Sequence, residues 1–235
     1  MIVTGAASGI GAALVRTLAA EGHRVACLDR DEAGARRAAS GHPAIGCDVA
    51  DEASVVRAFA AAAEALGGID GLATCAGIAD TTPSLEVDVA TFRRVLDVNV
   101  IGTFLCVREA ASRMLSGARI CTVASIAGLR GGGLSGTGAY AASKGAVLAL
   151  TKNMARVLGP RGIAVNTVAP GSTETPMLAP SLADPAHRAR LEALNPLGRI
   201  GTADEIAQAI AWLLSPAASY VHGATLVADG GLMML

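Results

Sequence analysis

The sequence predicts one open, doubly wound α/β domain, a parallel sheet of about seven strands with helices on both faces. Three observations carry this. Short apolar runs alternate with longer helix-periodic runs along the whole chain. Runs such as "ICTVAS" (120–125) are apolar on both sides, as strands covered by helices on both faces must be. A glycine-rich turn follows the first strand-like run and opens the first helix, the usual junction in such sheets. The 235 residues suit a single domain over 1–235. A chain of this size buries roughly 70–75% of its unfolded surface, so it requires neither disulfide nor metal to hold a core. With 52% hydrophobic and only 3% aromatic residues, that core must be aliphatic.

The strand candidates in order are Ile2–Val3, Arg24–Leu28, Ala44–Cys47, Gly71–Thr74, Ala118–Ala124, Ile163–Val168 and Ala224–Val227. Helix-periodic segments lie between them at Gly9–Glu21, Glu32–Ala39, Ser54–Leu66, Thr91–Leu115, Ala139–Leu158 and Thr202–Leu214. The last opens on "TADE", the spacing of a capping box from Thr202 to Glu205. Two segments break the rhythm. Arg130–Gly138 is too glycine-rich for regular structure, and the stretch from about 172 to 200 carries Pro176, Pro180, Pro185 and Pro196. Irregular segments of that length in a compact domain are usually functional or mobile. The second therefore reads as a lid over a site, with an idle surface excursion as the alternative.

A formal net charge of −1 gives no electrostatic case for nucleic acid or an anionic membrane surface. Cys27, Cys47, Cys75, Cys106 and Cys121 are odd in number and scattered, with no C-x-x-C pair. They read as small buried thiols suited to a reducing compartment, and no metal is implied. No stretch reaches the ~18 unbroken apolar residues of a membrane span. The "MIVTGAASGIG" start has neither a charged region nor an apolar leader core, so the expected location is the cytoplasm.

The glycine turn is spaced Gly5-x-x-x-Gly9-x-Gly11, with Ser8 and Ile10 between. Gly5 permits a tight turn, Gly9 lets backbone approach a pyrophosphate, and Gly11 lets the helix pack on the sheet. A bare packing turn would need the same glycines. Asp29 in "CLDRD" lies 18 residues beyond Gly11, where a carboxylate accepts hydrogen bonds from the adenosine ribose of NAD and repels a 2′-phosphate. Arg30 beside it would instead pair with such a phosphate. Ser8, standing where a basic residue would favour NADP, tips the expectation to NAD. Asp48, followed by Val49 in "GCDVAD", ends the third strand and reads either as an adenine contact or as a turn residue.

Tyr140 and Lys144 form the pair in "AYAASKGA", in a chain with only two tyrosines and two lysines. Four residues apart on a helix, they share one face. With the glycine turn, this element makes the sequence resemble the short-chain dehydrogenase/reductase family, and the resemblance runs through the whole chain in order. Its glycine motif matches Thr4–Gly11, its Asn-x-x-Gly "NVIG" from Asn99 to Gly102, and its strand-end serine Ser125. Its Tyr-x-x-x-Lys matches Tyr140 and Lys144, its Pro-Gly Pro170 and Gly171, and its Asp-Gly-Gly Asp229–Gly231.

The resemblance implies a single-domain Rossmann fold and hydride transfer between NAD(H) and a secondary alcohol or ketone. A phenol with pKa about 10 is a poor base at neutral pH. A nearby cation favours the phenolate, the role implied for Lys144 toward Tyr140. Ser125 would hydrogen-bond the substrate oxygen. Asn99 would anchor a water passing protons from Lys144 to solvent. Thr173 and Thr175 of "PGSTETPM" would meet the nicotinamide carboxamide, and Ala76 and Gly77 would offer backbone contacts. Taken singly, Ser125 also reads as an ordinary strand-end residue, Asn99 as a helix-kink residue and Lys144 as a surface charge. The helix carrying Tyr140 is rich in Ala and Leu, and by resemblance such helices pair between subunits of a homotetramer. His187 reads either as a substrate contact or as a solvated helix residue.

There are three departures, one being that only Met1–Val3 precede the glycine turn, so a short first strand is expected. "TCAG" (74–77) lacks the family's usual asparagine, which implies a lost brace at Cys75. The fifteen-residue interval from Ser125 to Tyr140 is long, with glycines at 131–133, 136 and 138 bordering the substrate site. Other functions compatible with the residues are an NADPH-dependent 3-ketoacyl-thioester reductase, a cyclic dihydrodiol dehydrogenase and, outside enzymes, a dinucleotide-sensing regulator.

Overall fold

A computed structural model describes residues 1–132 and 138–234. Seven strands form one parallel sheet: β1 (Ile2–Thr4), β2 (Ala26–Asp29), β3 (Ala44–Gly46), β4 (Gly71–Thr74), β5 (Arg119–Val123), β6 (Ala164–Pro170) and, last in the chain, β9 (Thr225–Ala228). Their order is β3-β2-β1-β4-β5-β6-β9. Sequence direction reverses between β1 and β4, which opens a crevice beyond the carboxyl ends of the strands. A separate two-stranded pair joins β7 (Thr173–Glu174) to β8 (Gly201–Thr202).

Adjacent strand residues point to opposite faces, and the core divides accordingly. Ile2, Leu28, Leu72 and Ile120 join one cluster with α3 (Glu52–Leu66), α5 (Gly102–Ala111) and α7 (Gly138–Leu158). Val3, Cys27, Ala73 and Cys121 join the other with α1 (Gly9–Ala20), α2 (Glu32–Ala38) and α10 (Ala203–Leu214). This is why the strand sequences show no polar side. α10 begins with the expected capping box, Thr202 Oγ1 accepting from Glu205 N at 3.2 Å and Glu205 Oε2 from Thr202 N at 2.8 Å.

Three expected outlines change. The segment Thr91–Leu115 is not one helix. Asp88 caps α4 (Val89–Leu96) by accepting from Thr91 N at 2.6 Å, a π-helical turn follows at Asp97–Ile101, and α5 ends at Ala111. The stretch 172–200 is not mainly loop. It contains β7, α8 (Ala179–Leu182) and α9 (Pro185–Leu194), with Asp184 capping α9 and prolines in the first turn of each helix. Proline suits that position because its missing N–H would have no helical partner there, so these prolines mark helix starts. In the glycine-rich segment, Arg130 closes a short helix α6 (Ile126–Arg130), Gly131 ends it with φ +81°, and Gly138 opens α7. Residues 133–137, which include the expected loop glycines Gly133 and Gly136, lie outside the described residues.

A row of threonines crosses five strands in register: Thr4, Thr74, Thr122, Thr167 and Thr225. Most spend their hydroxyls. Thr4 Oγ1 accepts from Ala76 N at 3.3 Å, Thr122 and Thr151 share a 2.7 Å bond, and Thr167 Oγ1 donates to the Thr122 carbonyl at 3.1 Å. Thr74 Oγ1 is buried without a partner among the described residues. An unmet buried hydroxyl costs about 1–3 kcal/mol, which an isosteric methyl avoids. Thr74→Val is therefore expected to raise stability by about 1 kcal/mol, some 2–4 °C in thermal midpoint. A lowered midpoint would show that the hydroxyl is satisfied after all.

Candidate active site

The crevice is a cavity of about 840 Å³ at the carboxyl ends of the strands. Its first half is built by β1–β3 and the turn into α1. Gly5, Ser8, Gly9, Ile10 and Gly11 line it. Gly5 holds φ +68°, and a Cβ on Gly11 would collide with the Gly5 carbonyl, so turn and helix meet backbone to backbone. Ser8 is the N-cap of α1 but makes no capping bond, and the first turn carries no acidic side chain. The helix therefore presents unpaired N–H groups and a positive dipole end to the cavity.

Asp29 ends β2 on the cavity wall with Arg30 beside it. Asp29 Oδ2 accepts from Ala7 N at 3.0 Å and Oδ1 from Asp31 N at 2.9 Å, which fixes the carboxylate while leaving each oxygen further acceptor capacity. Asp48 and Val49 also line the cavity. Asp48 Oδ1 accepts from Ala50 N at 3.0 Å, so the turn role exists whatever else this residue meets. Cys75, Ala76 and Gly77 complete this wall, and burial pushes the Cys75 thiol up to about 12, keeping it protonated.

The second half brings together four side chains from three separate stretches of the sequence. Ser125 is the N-cap of α6, accepting from Ala127 N at 3.1 Å, and its side chain lies close enough to the Tyr140 phenol to favour its ionised form. Gly128 lets this happen: a Cβ there would lie 2.5 Å from the Gly145 nitrogen, so α6 rests directly on the backbone of α7. Lys144 is 5% exposed, its Nζ donates to the Val123 carbonyl at 2.8 Å, and it lies 5.7 Å from the Tyr140 ring centroid. It is a buried cation, not a surface charge.

Asn99 sits within the π-helical turn, a distortion common at functional sites. It stands behind the cavity rather than on its wall. Its Nδ2 donates to the Ile78 carbonyl and to Ser143 Oγ, both at 2.9 Å, and its Oδ1 accepts from Ile78 N at 2.8 Å. Ser143 Oγ in turn donates to the Tyr140 carbonyl at 2.7 Å. Sequence reasoning passed over Ser143, whose only signal is a hydroxyl three residues after Tyr140. Pro170, Gly171, Thr173 and Thr175 continue the wall beyond β6, followed by Met177, Leu178, Leu191 and Leu194 of the 172–200 segment. The far end of that segment is tied down by Asn195 Nδ2 donating to the Asp229 carbonyl at 3.0 Å. His187 is half-buried on α9 and is not among the residues on the cavity wall.

Electrostatics depart from expectation at one point. Burial pushes the Tyr140 phenol above its ordinary value of 10.0, and the neighbouring Ser125 side chain opposes the rise. Burial also brings Lys144 down from 10.5 to about 8. Burial outweighs any attraction between Tyr140 and Lys144 because both are removed from water. A lysine whose folded value is depressed lowers stability where it must stay charged. Between about pH 8 and pH 10.5 the unfolded chain holds the extra proton, so this group makes stability rise with pH. Lys144→Met is expected to flatten that rise: in urea unfolding, the stability of wild type relative to the variant should increase from pH 7.5 to pH 9.5. A difference independent of pH would mean Lys144 titrates normally.

A family profile described as enoyl-(acyl carrier protein) reductase matches residues 5–233. The chain is 42% identical to a 2,5-dichloro-2,5-cyclohexadiene-1,4-diol dehydrogenase of Sphingobium indicum, over 98% of this chain and 95% of the relative. It is also 42% identical to a cis-4-hydroxycyclohexanecarboxylate dehydrogenase of Sinomonas cyclohexanicum, over 98% of this chain and 94% of the relative. A crystal structure from Brucella melitensis, titled as a short-chain dehydrogenase/reductase of the glucose/ribitol dehydrogenase type, superposes with TM-score 0.94 at 34% identity, over 100% of this chain and 96% of that one. With the family profile spanning nearly the whole chain and relatives and a solved structure matching it end to end, this chain is an oxidoreductase of the short-chain dehydrogenase/reductase family.

Proposed function

We propose that this oxidoreductase interconverts a secondary alcohol and its ketone with NAD(H), using Tyr140 as the acid–base group. The observation that carries this reading is the convergence of Ser125, Tyr140 and Lys144 on the wall that also holds the glycine turn and Asp29. The residues present fit a nicotinamide dinucleotide. The uncapped start of α1 would receive a pyrophosphate, the two anchored oxygens of Asp29 would receive ribose hydroxyls, and Thr173 and Thr175, on the wall beyond β6, would contact the nicotinamide end. When bound, the oxidised cofactor supplies the hydride acceptor and a positive charge near the phenol. The phenolate oxygen of Tyr140 then takes the hydroxyl proton of the substrate, and Ser125 donates to the same substrate oxygen as the carbonyl forms. Lys144 Nζ, 5.7 Å from the Tyr140 ring centroid, would favour the phenolate during turnover, and Asn99 with Ser143 fixes the backbone from which Tyr140 and Lys144 project.

The relatives' named substrates include a chlorinated cyclohexadienediol and a hydroxycyclohexanecarboxylate, which supports a ring-bearing alcohol here. Among the described residues no helix is long and apolar enough to cross a membrane. The free cysteines support a reducing, cytoplasmic setting. Val89, Ile101 and Val157, exposed apolar residues on α4, the π-helical turn and α7, support pairing into a homotetramer.

Tyr140→Phe is expected to lower kcat with any alcohol the wild type oxidises by about 10²–10⁴ while cofactor binding persists. Turnover at the wild-type rate by a folded variant would sink the mechanism. Titration should find NADH bound more tightly than NADPH, and Asp29→Ala should narrow that gap by removing the carboxylate that repels a 2′-phosphate. Tighter NADPH binding by the wild type would reverse the cofactor assignment and point to Arg30.

A further inference from the structure

The two halves of the cavity differ in charge. Asp29 and Asp48 sit on the β2–β3 side, two carboxylates against the one guanidinium of Arg30. On the β4–β6 side, where Ser125 and Tyr140 lie, the wall carries two guanidinium groups. α4 presents Arg94 to the cavity together with Thr91 and Val95, an i, i+3, i+4 face that Val98 of the π-helical turn continues. Arg130 closes α6, five residues beyond Ser125, and its side chain also lines the cavity. Both arginines are exposed at the mouth, and among the described residues neither is ion-paired. Asp80, the carboxylate on this part of the wall, is turned back on Thr82, accepting from its N at 3.2 Å and its Oγ1 at 3.0 Å. Around the arginines the surface is aliphatic, from Ile126, Met177, Leu178, Leu191 and Leu194.

An apolar wall edged by unpaired guanidinium groups suits a molecule with a hydrocarbon body and an anionic end. Five helical residues place Arg130 about 7.5 Å along the axis of α6 from Ser125. Ser125 and Arg130 thus stand at opposite ends of one short helix on the same cavity wall. Guanidinium matches carboxylate with two parallel hydrogen bonds, which an exposed ammonium does not offer. We propose that Arg94 and Arg130 bind the carboxylate of a hydroxy acid, an alicyclic or similarly sized secondary alcohol whose carboxylate lies remote from the carbon that is oxidised. This rests on the alcohol oxidoreductase reading above and narrows its substrate class. The positive mouth also gathers anionic substrate from solution, an effect that salt weakens.

The test compares 4-hydroxycyclohexanecarboxylate with its carboxamide and with cyclohexanol, using both NAD and NADP, in wild type and in the Arg94→Gln/Arg130→Gln double variant. Expected is a kcat/KM for the acid about tenfold above that for the amide, carried by KM, shrinking as salt is raised and falling to about twofold or less in the double variant. Calorimetry of cyclohexanecarboxylate against cyclohexanecarboxamide, in the presence of cofactor, reads the same preference without turnover. Equal use and equal binding of acid and amide by the wild type, or a preference that survives in the double variant, would overturn the proposal while leaving the alcohol chemistry intact. Arginine-dependent binding of the acid without oxidation of any of the three alcohols would uphold anion recognition and count instead against the alcohol reading.

Discussion

The site depends on one close approach, the backbone of α6 against the backbone of α7. At Gly128 there is no room for a side chain, because a Cβ would lie 2.5 Å from the Gly145 nitrogen and from the Lys144 carbonyl carbon. That contact sets the distance between the serine capping α6 and the tyrosine on α7. It also carries Lys144 under the end of β5, where its ammonium finds the Val123 carbonyl at 2.8 Å. A buried lysine without a carboxylate is costly, and burial accordingly lowers its pKa to about 8. The fold retains this unfavourable group at the point where a cation beside a phenol is chemically useful, as strained or electrostatically frustrated groups at functional sites commonly are.

Behind the reactive wall lies a polar network that resembles ordinary core packing. Asn99 reaches Ile78 on one side and Ser143 on the other, and Ser143 reaches the carbonyl of Tyr140. The π-helical turn at Asp97–Ile101 supplies the extra residue that aims Asn99 inward between α4 and α5. In-register threonines tie neighbouring strands and α7 together by hydroxyls, at the expense of an unpartnered Thr74. The polar groups of this interior serve geometry: each fixes a backbone segment from which a cavity-lining residue projects.

Much of the fold was legible in the sequence because its signals are local. Strand runs apolar on both faces, the Thr202–Glu205 capping box and the glycine turn at 5–11 each report a constraint acting within a few residues. The misread segments were those where local signals conflict. Pro180 and Pro185 read as loop residues, yet each occupies the first turn of a helix, the one place where proline costs a helix no hydrogen bond. The apolar period of 91–115 continues through the π-helical turn, and only the reading of Asn99 as a helix-kink residue pointed to the break. Arg94 and Arg130 stood out in no motif, because a guanidinium without a partner is a fact about space.

By itself, the sequence determined the order of strands and helices, the turn that opens toward the cavity and the spacing of Tyr140 and Lys144 on one helical face. These are short-range properties of the backbone and of hydrophobic periodicity. Tertiary structure decided that Ser125 meets Tyr140 across α6, that Lys144 is buried, that Asn99 stands behind the wall and that the 172–200 segment is anchored through Asn195 to Asp229. Each of these joins residues distant in the chain, and their separation is set by packing, which no local period encodes.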